Sequence, residues 1–557
     1  MRALLFIWLC AHVFGCTNLI ATKGATSTGR NMFSYCADSF KINGHLYHHV
    51  GGTHPEGTKR KIIDWDTNTE IGEIDEAPET YTVVGNMNEF GLTIGETTWG
   101  GLAPYNQKNG LIDYGSLLWI ALERTKTARD AIAKMVEIVT IHGYYSSGET
   151  FTIADQNEVW IMEMIGRGPD IRGVYWVAVK LPDNAICAHS NHARLEKLSK
   201  YRDTEILHDH KLFEELKEAG IYDGPEDDFG FAATFDGTGF GKQRSCDARS
   251  WAYFKAVLGD TMDQYENYIM GKPNTERFPL YYELPADKDK ITPEFLMNMM
   301  GSHFENTVLN GTWNVGSFPN RRPGRIHPLT WEYEGKTYTN ERTISTQQTV
   351  WSFVAEIRKE DEPNQEQLGG GIFWFGFDEA EASVLIPFLP VNQRVHPSYT
   401  AETGNQSVFS YDNQYWVNSL MTNFMHSFYD VLQPEVLKLK SKYHDQYVQD
   451  LALLEEQASK MTKDEAREHI TATQEQWGGD LTKNWLNEFT SLFTVYFDGM
   501  KRYTDKDTPK YYTKTQECPY DQGFYDLIAK EDTEGKYLVH DNPPDPVVPT
   551  LEAHTEL

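Results

Sequence analysis

The sequence predicts a layered α+β fold, on three observations: short β-branched and aromatic runs occur in pairs, stretches of helical periodicity lie between them, and the pattern turns wholly helical from about Trp416. Taken in order, Cys16 to Ala21 begins as a strand-like run. Tyr81 to Gly85 and Leu92 to Thr97 then flank the turn Asn88-Glu89-Phe90-Gly91. Leu117, Leu118, Ala121 and Leu122 recur at helical spacing, and Ala131, Ile132, Met135, Val136 and Val139 do so again after Thr127. Thr127 followed by Asp130 has the form of a capping box and predicts a second helix start. Two further strand pairs follow, Thr150 to Ala154 with Val159 to Met164, and Ile372 to Gly376 with Ser383 to Phe388. Leu420, Phe424, Phe428, Leu432, Val436 and Leu437 continue a helical pattern past Met461, and Lys463 to Phe497 keeps the same style. The proline-rich end from Asn542 reads as an extended tail. Four regions result: a leader over 1–15, a mixed domain over 16–415, a helical extension over 416–541 and a tail over 542–557.

Charge and cysteine usage narrow the function classes. The 557 residues hold 51 Lys and Arg against 81 Asp and Glu, a net charge of -30, which repels nucleic acid and anionic lipid. No stretch beyond the leader is apolar enough to span a membrane. The leader has a positive start at Arg2, an apolar run from Ala3 to Leu9, and small-residue positions at Val13 and Gly15. Val13-Phe14-Gly15-Cys16 also loosely resembles a bacterial lipoprotein box, which Phe14 fits poorly. Removing Cys10 with the leader leaves Cys16, Cys36, Cys187, Cys246 and Cys518, an odd count that suits one free thiol and up to two disulfides. Asn310-Gly311-Thr312 and Asn405-Gln406-Ser407 are glycosylation sequons, and His554-Thr555-Glu556-Leu557 departs at one position from an HDEL retrieval signal. Leader and tetrapeptide together predict the secretory pathway, with retention in the endoplasmic reticulum lumen as the first expectation and a secreted or lysosomal protein as the alternative.

A cut after Gly15 would make Cys16 the first residue of the mature chain. Its free α-amine, with a pKa of about 8, would then serve as a base for its own thiol. On leader and position alone, a cysteine bordering a signal peptide is the plainer reading. His45, His48 and His49 form the densest histidine cluster, but their spacing matches no metal motif, and they read as solvated loop residues. His208 and His210 read as surface. GxSxG, Walker and GxGxxG motifs are absent.

The run Cys16-Thr17-Asn18-Leu19-Ile20-Ala21-Thr22-Lys23-Gly24 resembles the mature N-terminus of the dipeptidase A-like cysteine hydrolases. That family includes the secernins and belongs to the N-terminal-nucleophile hydrolases. Further matches follow in order: Asp38, Asn88-Glu89-Phe90-Gly91-Leu92, Ala121 to Ala131, Ile153-Ala154-Asp155, Trp176 to Val179, and Asn191 with Arg194. Gly301-Ser302-His303-Phe304-Glu305 and Thr346-Gln347-Gln348-Thr349 are fainter echoes. The resemblance covers most of 16–439 and implies an αββα four-layer sandwich, a cysteine dipeptidase activity on small peptides, and no metal or organic cofactor.

By that resemblance Cys16 is the nucleophile and Asp38 orients its α-amine. Asn191 would supply an amide to the oxyanion, helped by a backbone N–H near Asn88. At one place the sequence departs from the family: many relatives carry a basic residue three positions before the aspartate, and here Tyr35 stands there, followed by Cys36. Cys36 lacks an adjacent amine, so a structural role suits it better than a nucleophilic one. Two alternatives stay open: an amidase acting on N-acylated amines, and a catalytically silent secretory protein of the same fold.

Overall fold

Strands buried along their whole length need cover on both faces, and that requirement organises this chain. A computed structural model describes residues 14–42, 44–105, 107 and 110–539. Most of the leader, the proline-rich tail and the terminal tetrapeptide therefore lie outside the described residues. The strands of the two large sheets are, in order, β1 (Phe14–Ala21), β2 (Asn31–Ser39), β3 (His48–His49), β4 (Val83–Val84), β5 (Met87–Asn88), β6 (Thr93–Gly100), β7 (Gly148–Ala154) and β8 (Val159–Gly166). They continue with β9 (Val174–Lys180), β10 (Ala185–His189), β11 (Ile206–His208), β12 (Tyr281–Glu283), β13 (Thr349–Ile357), β14 (Gly371–Phe377) and β15 (Ile386–Phe388). One sheet has seven strands in the order β12-β10-β1-β2-β13-β14-β15, the other eight in the order β11-β9-β8-β7-β6-β5-β4-β3.

Within both sheets the pairing is antiparallel, and the sheets meet through β1 and β6. Gly95 permits that approach, since a Cβ there would sit 2.5 Å from Asn18 Oδ1. Helices α1 (Tyr114–Arg124) and α2 (Ala128–His142) pack on the eight-stranded sheet. Helices α3 (Ala248–Leu258) and α4 (Pro293–Met300) pack on the seven-stranded one. With cover on either side, β2, β7, β8, β13 and β14 are buried at every residue, their polar side chains such as Glu149 and Glu163 included.

The expected α+β character is present, with local differences. Thr127 caps α2 as expected, its hydroxyl accepting from the Asp130 N–H. Ala154 pairs with Val159 across the expected 155–158 turn. The 81–85 run differs: only Val83–Val84 is strand, and it pairs with β3 and β5, while Thr93 of β6 pairs with Met87. Likewise β15 begins only at Ile386, because the loop after β14 starts with a left-handed Asp378 (φ 63°) and turns its carboxylates inward.

The helical C-terminal pattern is broken into α5 (Gln414–Ser427), α6 (Tyr429–Ala458) and α7 (Lys463–Tyr496). The predicted continuity through Met461 fails because Glu465 accepts from the Thr462 N–H and hydroxyl, which starts a new helix there. Helices α6 and α7 pack on each other through Tyr443–Trp485 and Tyr447–Trp477, and both reach β15. Among the described residues no helix is long and apolar enough to cross a membrane. The expected disulfides do not form: all five described cysteines are free. The strand register places Cys36 opposite Thr17 and Cys187 opposite Ile20, so the sheet sets no two thiols face to face.

Candidate active site

Side chains alternate across a strand, so Cys16 and Asn18 of β1 and Tyr35 of β2 turn toward the second sheet, where β6 passes. Cys16 is 7% exposed. Its backbone N–H donates to Asn191 Oδ1 at 2.9 Å. Asn191 follows β10 in the left-handed region (φ 57°), which asparagine tolerates, and that turn carries its side chain back to β1. The same Oδ1 accepts from Arg249 Nη2 at 2.7 Å, and Asn191 Nδ2 donates to the Thr98 carbonyl at 2.6 Å. One N–H of its amide is on Thr98 and its oxygen addresses the Cys16 nitrogen and Arg249, while the second amide N–H, the donor an oxyanion role would use, has no partner among the described contacts.

Asp38 lies opposite Gly15 in the β1–β2 register. Its carboxylate accepts from Arg342 and, at 2.6 Å, from the Thr349 hydroxyl, while Arg342 also donates to the Gly15 carbonyl at 3.3 Å. The aspartate thus reaches the Cys16 environment through Arg342, with no direct bond to the Cys16 nitrogen among the described contacts. Asn88 is not part of this group. Its Nδ2 donates to the Leu122 and Thr125 carbonyls at 2.8 Å and its Oδ1 accepts from the Phe90 and Leu92 N–H groups at 3.1 Å, which locks the turn onto the end of α1. The backbone N–H of Asn88 is also taken, by the Leu92 carbonyl.

Two arginines that no sequence motif singles out complete the site. Arg249, in α3 just after a π-helical turn over Lys242–Asp247, donates to the Cys16 carbonyl at 2.7 Å and the Thr17 hydroxyl at 2.8 Å. Neither Arg249 nor Arg342 belongs to a local motif; only the packing of distant elements reveals them. Arg194, by contrast, is held by Asp247 at 3.2 Å and by the Phe278 and Pro279 carbonyls, in a buried network of its own.

Tyr35 alters the electrostatics. Its hydroxyl donates to Glu96 Oε1 at 2.6 Å and lies 3.5 Å from Cys16 Sγ. A phenol has one hydrogen, so the shorter bond to Glu96 competes with donation to the sulfur, the contact that by itself would lower the thiol. Burial, then Glu96 and Asp38, push the Cys16 thiol well above its ordinary value. Glu96 and Glu149 are both buried, and burial raises both carboxyls, with Glu96 adding to the rise at Glu149. The two carboxyls lie against each other, and a proton held on Glu149 bonds them together, a contact that by itself raises Glu149 and lowers Glu96.

The rival residues fall elsewhere. Cys36 is raised by burial and contacts Asp38 at 3.6 Å. His48 and His49 are half-buried on β3, bonded to the Asn392 carbonyl and the Thr80 hydroxyl, and are not the solvated loop histidines expected. The described residues with metal-ligand proximity are instead His303, Glu379 and Glu381.

Residues 15–442 match the family model of peptidase family C69, a span that starts one residue before Cys16. The chain belongs to peptidase family C69. Among similar proteins, one named probable dipeptidase B from Streptococcus pyogenes serotype M3 is 24% identical over 373 residues, 66% of this chain and 66% of its own length. A probable dipeptidase from Latilactobacillus sakei is 23% identical over 322 residues, 58% and 59% of the two chains. A probable dipeptidase from Salmonella dublin is 24% identical over 403 residues, 69% and 83% of the two. The chain thus spans about two thirds of the length of the first of these relatives. The C69 region ends inside α6, so α5, which begins where the composition turns helical, lies within it.

Proposed function

We propose that this C69 chain is a cysteine dipeptidase of the N-terminal-nucleophile type, with the αββα four-layer sandwich of that class and a helical extension behind it. The observation that carries the reading is the grip on both sides of Cys16: Asn191 accepts from its nitrogen and Arg249 donates to its carbonyl. After a cut behind Gly15 that nitrogen would be a free α-amine, held by Asn191 beside the thiol whose proton it takes. The thiolate would attack the peptide carbonyl, the amine would protonate the leaving amine, and water activated by the same amine would release the acyl group. Arg342, which donates to the Gly15 carbonyl in the uncut chain, would then face the substrate carbonyl and stabilise its oxyanion.

The buried acid pair Glu96 and Glu149 beside Cys16 favours a dipeptide with a free N-terminus over the N-acylated amide of the alternative reading, because the pair has no cation among its described partners and an ammonium would supply one. The leader and the C-terminal tetrapeptide support passage through the secretory pathway. N-terminal sequencing and intact mass of the purified mature protein test the mechanism: the chain is expected to start at Cys16, and any other start sinks it. Cys16→Ala is expected to abolish dipeptide hydrolysis with an unchanged circular dichroism spectrum. Turnover of free but not N-acetylated dipeptides is expected of the wild type; the reverse preference would favour the amidase.

A further inference from the structure

A second buried polar cluster, bonded apart from Cys16, joins the end of α4, the loop after β14 and the end of α5. His303, Glu379, Glu381 and His426 are all buried there. One ligand atom from each of His303, Glu379 and Glu381 lies within 4.8 Å of the other two. His303 Nε2 is 2.9 Å from Glu379 Oε1, and His303 Nδ1 is 3.8 Å from Glu381 Oε2. Those last two atoms have no hydrogen-bond partner. Their separation is too long for a hydrogen bond. An imidazole gives an ion one nitrogen, and the 2.9 Å between His303 Nε2 and Glu379 Oε1 is close to the spacing of two ligands on one ion, about 3.3 Å for tetrahedral bonds of about 2.0–2.1 Å, which leaves Nδ1 as the outer nitrogen facing Glu305 and Glu381.

The outer atoms of both carboxylates are already fixed, as supporting contacts around a metal site fix its ligands. Glu379 Oε2 accepts from His426 Nε2 at 2.6 Å, and Glu381 Oε1 accepts from the Tyr429 hydroxyl at 2.7 Å and Gln433 Nε2 at 3.0 Å. Glu305, whose side chain is 45% exposed and 3.5 Å from His303 Nδ1, gives the cluster an edge toward solvent. Among the described contacts, Lys440 donates to the main-chain carbonyls of Ala380 and Glu381.

We propose that His303, Glu379 and Glu381 bind one divalent transition-metal ion, with zinc the best chemical match to one imidazole and two carboxylates. Two carboxylates and a neutral imidazole carry two negative charges, which one divalent ion neutralises. The ion would be structural. The Ser345 hydroxyl donates to Glu379 Oε1 at 3.1 Å, and the segment around it carries Arg342 and Thr349, the partners of Asp38. Metal at Glu379 would therefore brace the loop that presents Arg342 to Gly15.

The test loads the full-length protein, made without a histidine tag, with Zn²⁺, followed by gel filtration and elemental analysis. One zinc per chain is expected, with X-ray absorption giving nitrogen and oxygen ligands at about 2.0–2.1 Å and no sulfur. Cys16→Ala is expected to retain the metal, which separates this site from the thiol. Glu381→Gln keeps the side-chain volume and is expected to weaken zinc binding by about tenfold or more. Binding is expected to weaken as pH falls, because His303 must shed a proton to ligate. A folded protein that emerges metal-free, a sulfur-containing coordination shell, or an unchanged affinity in Glu381→Gln would overturn the site and leave the cluster as an imidazolium bridge only.

Discussion

Two buried carboxylate clusters in this chain solve the same problem in opposite ways. Glu379 sits between His303 and His426; although burial alone would raise its pKa, His426 and then His303 bring the carboxyl well below its ordinary value. Glu96 and Glu149 have no cation among their described hydrogen-bond and ion-pair partners, and burial raises them both. Desolvation acts on all of these carboxyls, so the presence or absence of a positive partner decides the sign. The paired cluster can serve as a permanent brace. The unpaired one stores a demand for positive charge beside the nucleophile, which a substrate ammonium would meet.

The sharpest way to break the comparison is to remove a cation from a buried pair. Arg342→Met strands Asp38, whose side chain is fully buried, and is expected to cost about 3–5 kcal/mol in urea denaturation. An intermediate effect is expected of Glu379→Gln. It removes the charged acceptor of two imidazoles and a hydroxyl, a loss of about 1.5–3 kcal/mol at pH 7. Because the folded state depresses this carboxyl, its stability is present above the unfolded value of about 4.3 and is lost as pH falls through the depressed one. The variant is therefore expected to flatten the acid limb of the stability profile.

The smallest effect carries the opposite sign. Glu149 is raised in the folded state, so the fold loses stability as pH climbs from about 4.3 through the raised value. Glu149→Gln is expected to gain about 1 kcal/mol at pH 8 and nothing at about pH 4, read by thermal denaturation at both. A gain equal at both pH values would mean that folding leaves the proton affinity of this carboxyl unchanged, and the contrast between the clusters would lose its basis.

The parts of the fold legible in the sequence were those set by neighbours along the chain. Thr127 caps a helix through an atom three residues away, and the 155–158 turn closes between adjacent strands. The 81–85 run was legible only in part, because its partners include His48 and His49, far upstream. At the site, Cys16 and Asn191 are brought together as the family resemblance implied, whereas Asn88 is consumed by its own turn. Arg249 and Arg342 stayed hidden because a single arginine in a helix or loop looks the same whether it faces solvent or a buried carbonyl.

By itself, the sequence determined the α+β alternation, the place of Cys16 behind a short apolar run, the acidity of the chain and the absence of a basic residue at Tyr35. These are local properties of composition and order. Only the tertiary structure decided which charges meet: strand register set Asp38 opposite Gly15, sheet packing set Glu96 against Tyr35, and the loop after β14 set Glu379 between two histidines. Coulomb energy and desolvation depend on distance in space and not on separation along the chain, so the same glutamate side chain became an anchored anion in one cluster and an unpaired acid in the other.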